Sequence, residues 1–219
     1  MNKRSILSAF IIASGALLLS NCASLSGLQD GRTVGKNNAE IGISMNFSQS
    51  PDFNKWEDQV DSQNLIPRQY FGNFEFGARY GVAEKLDVTL RLNTALNMGL
   101  GVKTQVVGDR ESQFALALGA EVGTFTFISG LWNVQIPVYL SVHPTDQLTW
   151  YLTPRYIYQF LSFAGASNGL SYVGGNTGFL FGKRHKFGID IGYYSIGHSS
   201  YRIGAVQFGL GGKFVIGGN

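Results

Sequence analysis

Apolar and polar residues alternate along most of the chain, in runs of about ten residues that short turns separate. Between residues 68 and 92 two such runs follow each other, joined by the turn GVAEK. In both runs every second residue is mostly apolar, which we call the apolar parity. The positions between them, the charged parity, include Glu75, Arg79, Asp87 and Arg91. Alternation of this length is typical of a tilted strand that crosses a lipid bilayer. The stretch therefore predicts a transmembrane β-hairpin.

Ten runs of this kind divide the chain between residues 39 and 216. They predict strands at 40–49, 70–80, 86–93, 98–107, 114–122, 132–142, 148–160, 171–181, 186–195 and 203–216. The turns after the even strands are short, GVAEK, GDRE, HPTDQ and GKRH, and the longest connection is the first one, at residues 50–67. Short periplasmic turns and long outward loops are typical of outer-membrane barrels. We predict an all-β fold, an antiparallel transmembrane up-and-down β-barrel over residues 39–219, with ten strands or, alternatively, eight or twelve.

The charged parity is predicted to face the lumen. The opposite arrangement would place basic side chains in hydrocarbon at roughly 2–4 kcal/mol each near the midplane, a sum of order 10 kcal/mol. The predicted luminal network is Glu75, Arg79, Asp87, Arg91, Lys103, Glu121, Arg155, Asp190 and Lys213, with Glu40 as a fifth acidic residue. Because five charges of each sign balance, we expect internal ion pairs in a narrow barrel, and the inward glycines leave room for a small cavity or channel.

Aromatic residues on the apolar parity fall near the ends of the predicted strands. This placement is typical of the two aromatic girdles that flank the lipid-facing band of such barrels. The predicted girdle residues are Tyr70, Tyr80, Trp132, Trp150, Tyr158, Phe187, Tyr193 and Phe214.

Composition agrees with a membrane barrel and argues against nucleic-acid binding. Charged residues make up 14% of the chain, against roughly 25% in soluble domains. The formal charge of +3 includes Lys3 and Arg4. Without residues 1–21 the chain has 15 basic and 14 acidic residues, so no basic patch remains to attract nucleic acid.

The N-terminus has the pattern of an export signal, with basic residues followed by an apolar segment at 6–19. The next residues, LSNC at 19–22, resemble the lipobox of bacterial lipoproteins, although Asn21 departs from the usual small residue. The resemblance implies a lipoprotein signal peptide at 1–21 and lipidation of Cys22, the single cysteine; an ordinary signal peptide is the alternative. Residues 22–38 then form a periplasmic tether, which reaches the barrel rim or tucks into the lumen. Because Ala23 is not aspartate, lipoprotein sorting implies the outer membrane.

As a whole, the chain resembles small bacterial outer-membrane β-barrels, porin-like or OmpA-like in the broad sense. The resemblance implies a lipid-anchored barrel that is a narrow pore or has a surface structural role without chemistry of its own. The implied partners are outer-membrane lipids, the barrel-assembly machinery and a small solute in the lumen.

The alternative function is an enzymatic one. His198 and Ser200 resemble the His-x-Ser of outer-membrane lipid A deacylases, which would make the protein a lipid hydrolase. However, Tyr201 replaces the Asn of that family, and no acidic residue follows Asp190 to orient the histidine. No metal or cofactor is predicted, because His143 and His185 fall in different turns and His198 at the opposite end of the barrel.

Overall fold

The computed structural model describes residues 25–49, 70–125, 130–162, 169–198 and 201–217. Ten antiparallel strands each pair with their sequence neighbours, and β1 pairs with β10 to close the barrel, which confirms the predicted fold. The strands are β1 Ala39–Gln49, β2 Tyr70–Ala83, β3 Leu86–Asn93, β4 Asn97–Val107, β5 Phe114–Phe125, β6 Leu131–Thr145, β7 Leu148–Leu161, β8 Leu170–Phe181, β9 His185–His198 and β10 Tyr201–Ile216.

Side chains alternate between the two faces of the wall, as the sequence pattern predicts. In β3, for example, Val88, Leu90 and Leu92 are exposed outside the barrel, while Asp87 and Arg91 are buried inside it. Repeated around the barrel, this alternation gives the outer surface a continuous apolar band that water would solvate poorly and lipid covers well. No helix in the described part of the chain is long and apolar enough to cross a membrane.

The two ends of the barrel differ in their connections. At the terminal rim, where β1 begins and β10 ends, the strands are joined by residues 84–85, 108–113, 146–147 and 182–184. At the loop rim they are joined by residues 50–69, 94–96, 126–130, 162–169 and 199–200. The longest connections therefore lie at the loop rim. In outer-membrane barrels the longer loops face outward.

Several strands are longer than the alternation predicts, and two of these extensions carry β-bulges. β2 continues to Ala83 through an irregularity between Gly81 and Ala83. β6 continues to Thr145 through a second irregularity after Val142. A bulge shifts the alternation by one residue, so a strand end beyond it does not show the period of two. The predicted turn at 143–147 is therefore wrong in its bounds, since only residues 146–147 lie outside strands.

The interior is not polar throughout. Near the loop rim, side chains on the luminal parity form an apolar cluster of Ile157, Tyr172, Tyr194, Ile196, Ile203 and Ala205. Toward the terminal rim the luminal side chains are mostly charged or carry hydroxyl and amide groups. The lumen thus has an apolar cluster at the loop-rim ends of β7 to β10, whereas buried polar side chains such as Asn93 and Asn133 line other strands at that rim.

Candidate functional site: the barrel lumen

All the charged residues that the sequence assigns to the lumen are buried inside the barrel. Their exposed fractions do not exceed 9%, which excludes the reverse orientation of the strands. They are Glu40, Glu75, Arg79, Asp87, Arg91, Lys103, Glu121, Arg155, Asp190 and Lys213.

Two arginines of the β2–β3 hairpin anchor the ion pairs of the wall. Arg79 pairs with Glu40 on β1 and lies 3.8 Å from a carboxylate oxygen of Asp87. Arg91 pairs with Glu121 on β5, and its Nη1 lies 3.7 Å from Glu75. Arg79 therefore links the hairpin to the adjacent strand β1, and Arg91 links it across β4 to β5, which fills part of the lumen with buried charge pairs.

The N-terminal residues before β1 lie inside the barrel. We call residues 25–38 the luminal segment. It enters at the terminal rim, where the backbone of Asn37 and Asn38 hydrogen-bonds with Gly81. Its first described residue, Leu25, packs against the apolar cluster near the loop rim. Of the two arrangements that the sequence leaves open for residues 22–38, the structure has the one tucked into the lumen. The bounds of the tether, residues 22–38, and its periplasmic location stay predictions.

Luminal side chains satisfy the backbone donors of the luminal segment. An extended chain inside a barrel has no partner strand, so its amide groups need side-chain acceptors. Gly27 N donates to Asp190 Oδ2 at 2.9 Å, Gly31 N to Ser141 Oγ at 2.9 Å and Thr33 N to Gln105 Oε1 at 3.0 Å. Val34 N donates to both carboxylate oxygens of Asp87 at 3.1 Å. Strands β3, β4, β6 and β9 thus hold one segment.

Two cationic side chains satisfy its carbonyl groups. Lys103 Nζ donates to the carbonyl oxygens of Asp30 at 2.6 Å and Arg32 at 2.8 Å. Arg155 Nη2 donates to the carbonyl oxygen of Ser26 at 2.9 Å. Within the described residues, no carboxylate lies within 4 Å of Lys103 Nζ. The expected pairing of luminal charges with each other is therefore incomplete, because some of these charges bind the luminal segment instead.

Asp30 gives the luminal segment a buried charge contact with two strands. Its carboxylate lies 3.1 Å from Lys186 Nζ on β9 and 3.4 Å from Lys213 Nζ on β10. All three side chains are largely shielded from solvent. Buried charges of this kind are tolerated only as pairs, so removing one partner would leave the other unpaired at high cost.

Close packing fixes the path of the luminal segment. A Cβ added to Gly27 would lie 2.2 Å from the Cβ of Asn176, and one added to Gly31 would lie 2.4 Å from the carbonyl oxygen of Ala115. Leu28 packs in a buried cluster with Tyr151 and Leu180. Any side chain larger than hydrogen at Gly27 or Gly31 would therefore push the segment away from the wall.

His143 is a structural residue of β6 and not part of a turn. Its ring is buried, with Nε2 2.9 Å from Ser141 Oγ and Nδ1 3.0 Å from Thr149 Oγ1. Ser141 in turn accepts from the backbone of Gly31. The histidine therefore orients a hydroxyl group that holds the luminal segment.

The remaining predicted sites divide into lipid-facing residues and residues outside the described ranges. The girdle aromatics all lie on the outer face, with Tyr70 the most exposed at 79%. Cys22 and Ser200 lie outside the described residues, and for His198 only the backbone is described, paired with Tyr201. The structure therefore gives no support to the hydrolase alternative. The described residues contain no cluster of three or more His, Cys, Asp or Glu that could hold a metal.

The sequence left open whether residues 22–38 fill the barrel or reach its rim. Two signals were available: the glycines at 27 and 31, and the glycines on the inner parity of the wall, such as Gly188 and Gly211. A Cβ on Gly211 would lie 2.5 Å from a methyl group of Leu28. Alternation alone cannot reveal this fit, because the segment has no strand pattern.

No protein-family model and no curated protein matches the chain. Solved structures that match include Ail, the attachment invasion locus protein of Yersinia pestis, at 12% identity and a TM-score of 0.33, over 83% of this chain and 99% of that one. OprG from Pseudomonas aeruginosa matches at 14% identity and a TM-score of 0.35, over 85% of this chain and 100% of that one. The KdgM porin in complex with disordered oligogalacturonate matches at 12% identity and a TM-score of 0.41, over 79% of this chain and 98% of that one. At these identities and TM-scores the similarities assign no function or ligand to this chain.

Proposed function

We propose that the protein is a closed barrel of the bacterial outer membrane, with a surface structural role and no chemistry of its own. One observation carries this proposal: the luminal segment runs through the lumen, and side chains of at least five strands satisfy its backbone. A solute would have to break these bonds to pass. The apolar outer band is the surface that outer-membrane lipids cover, and insertion of such a wall needs the barrel-assembly machinery.

The direction of the luminal segment supports a surface role. Val34 bonds to the second residue of β3, Gly27 to the sixth residue of β9 and Ser26 to the eighth residue of β7, counted from the terminal rim. Leu25 packs against the apolar cluster that includes Ile157, the tenth residue of β7. The chain therefore climbs from the terminal rim, which we assign to the periplasm, toward the outward end.

This path supports a proposal for the side of the membrane on which the lipid anchor lies. Cys22 is three residues before Leu25, and three extended residues span at most about 10 Å. We propose that the lipid on Cys22 inserts on the cell-surface side, so that the chain passes through its own barrel. A periplasmic anchor would require the chain to return along a lumen that the luminal segment already occupies.

Labelling in intact cells tests this topology. A Ser24→Lys variant should react with a membrane-impermeant amine reagent in intact cells, as detected by mass spectrometry of the N-terminal peptide. Lys36, which is exposed at the terminal rim, is the internal control and should react only after the outer membrane is permeabilised. Labelling of residue 24 only after permeabilisation would contradict the surface placement.

Conductance in planar bilayers tests closure of the lumen. The full-length protein should give no ion conductance, and deletion of residues 25–34 should produce it while the barrel still folds, as heat-modifiable electrophoretic mobility reports. A conducting full-length protein would instead favour the narrow-pore function. If the deleted protein folds and stays closed, the luminal segment is not what closes the barrel.

A further inference from the structure

A cavity of about 360 Å³ lies at the terminal rim, between the luminal segment and the wall. We call it the basic pocket, because its lining contains six basic residues and only two acidic ones. The acidic residues are Asp30 and Glu40; the basic residues are Arg32, Arg79, Arg110, Lys183, Arg184 and Lys186.

The two carboxylates neutralise only part of the basic pocket, because the lining has six basic residues. Asp30 pairs with Lys186 and with Lys213. Glu40 pairs with Arg79 and lies 3.6 Å from Lys213. Lys213 is thus a further cation behind the lining. Lys183 also has an acidic partner, Asp146, 3.2 Å away at the exposed rim. Basic residues still outnumber acidic ones in and around the lining, so the cavity has an excess of positive charge.

One buried guanidinium group, on Arg79, and one half-buried group, on Arg32, each have a donor without an acceptor. Arg79 is 5% exposed, and its Nη1 makes no hydrogen bond to any described residue; the nearest carboxylate oxygen, on Asp87, is 3.8 Å away. Arg32 donates from Nη2 to the carbonyl oxygen of Ser112 at 2.5 Å, whereas its buried Nε has no partner in the described part of the chain. Buried donors without acceptors are costly, so an anion in the cavity would stabilise both.

The turn that carries Arg110 is rigidly built. Asp109 accepts hydrogen bonds from the hydroxyl group of Ser112 at 2.8 Å and from the backbone N of Glu111 and Ser112 at 2.9 and 2.8 Å. These bonds, that of the Ser112 hydroxyl foremost, lower the pKa of Asp109 below its ordinary value. Because the same Ser112 accepts from Arg32, the turn positions two arginines at the basic pocket.

We propose that the basic pocket binds the phosphate group of a small soluble solute in the periplasm. A carboxylate has two oxygens, which one guanidinium can satisfy, whereas a phosphate offers at least three acceptor oxygens to donors from several directions. Here the donors come from the luminal segment, from β2 and from two turns. The volume falls in the range of small-molecule sites. This site is independent of whether the barrel conducts.

Calorimetric titration of the full-length protein in a zwitterionic detergent at low ionic strength tests the site, with inorganic phosphate as the probe. Saturable binding is expected, and Arg110→Gln should weaken it about tenfold or more, the effect of one charge-assisted hydrogen bond. Lys85→Gln is the matched control, since it removes one charge at the same rim outside the lining, and it should leave the affinity near that of the parent protein. Absence of saturable binding, equal weakening by both substitutions or unchanged affinity in Arg110→Gln would each overturn the proposal.

Discussion

Replacing Lys103 with methionine should release the luminal segment without opening the wall. Lys103 is fully buried on β4, and its ammonium group donates to the carbonyl oxygens of Asp30 and Arg32 at 2.6 and 2.8 Å. Methionine has a similar length and fills most of the same space, but it cannot donate. The two carbonyl groups would therefore lose their donor, while the backbone pairing of β4 with β3 and β5 would remain.

The structure sets the size of the effect. Hydrogen bonds that involve a charged group contribute about 1.5–3 kcal/mol each, so the two bonds together contribute at most about 3–6 kcal/mol to docking of the luminal segment. In the variant, water that enters the lumen can donate to the two carbonyl groups and offset part of this loss. We therefore use the lower end of the range. A loss of about 3 kcal/mol corresponds to about a hundredfold increase in the population of the undocked segment.

Hydrogen–deuterium exchange measures this population. The amides of Gly31, Thr33 and Val34 donate to side chains of the wall, so they exchange only when the segment undocks. In Lys103→Met the peptide covering residues 25–38 should exchange about a hundredfold faster, while peptides of β4 and β5 keep their protection. Lys85→Met, which changes an exposed lysine at the terminal rim, is the control. Unchanged protection of residues 25–38 would refute the view that Lys103 holds the segment.

Three further substitutions probe the packing, the ion pairs and the lipid face. Gly27→Val should undock the luminal segment and raise conductance, because its side chain would overlap Asn176, whereas Gly27→Ala should do so less. Arg91→Met should lower the free energy of unfolding in urea by about 3–5 kcal/mol, since it leaves the buried carboxylate of Glu121 without this partner. An unchanged unfolding midpoint would contradict this and show that water solvates the carboxylate in the variant. Leu100→Arg, on the outer face, should weaken folding into vesicles by about 2–4 kcal/mol if the residue lies at the midplane, and a neutral effect would mean that it does not face hydrocarbon.

The wall of the barrel could be predicted residue by residue, because each strand carries its own evidence. In β3 the charged residues Asp87 and Arg91 lie on the opposite face from Leu90. The face with Leu90 must meet lipid, since charge in hydrocarbon costs several kcal/mol. The period fails only where bulges interrupt it, as in β6, where His143 lies in the strand and not in the predicted turn.

The contents of the lumen could not be predicted in the same way. The luminal residues Asp190 and Lys103 look like members of an ion-pair network in the sequence, yet both bind the backbone of residues 27–32. Backbone groups are the same in every residue, so a segment held by its backbone leaves almost no pattern in the sequence. Only glycines mark its close approach to the wall, those at 27 and 31 in the segment and inward ones of the strands such as Gly211.

The sequence by itself thus predicted an up-and-down barrel with ten strands as the first choice, the inner and outer faces of these strands and the membrane as the surroundings of the barrel. These follow from local alternation and from the large cost of placing charge in lipid. The tertiary structure alone decided that the barrel is filled by its own N-terminal residues, that these climb from the terminal rim toward the loop rim, and that four arginines surround one cavity. These features depend on distances between residues far apart in the chain, such as Gly27 and Asp190, which no local pattern encodes.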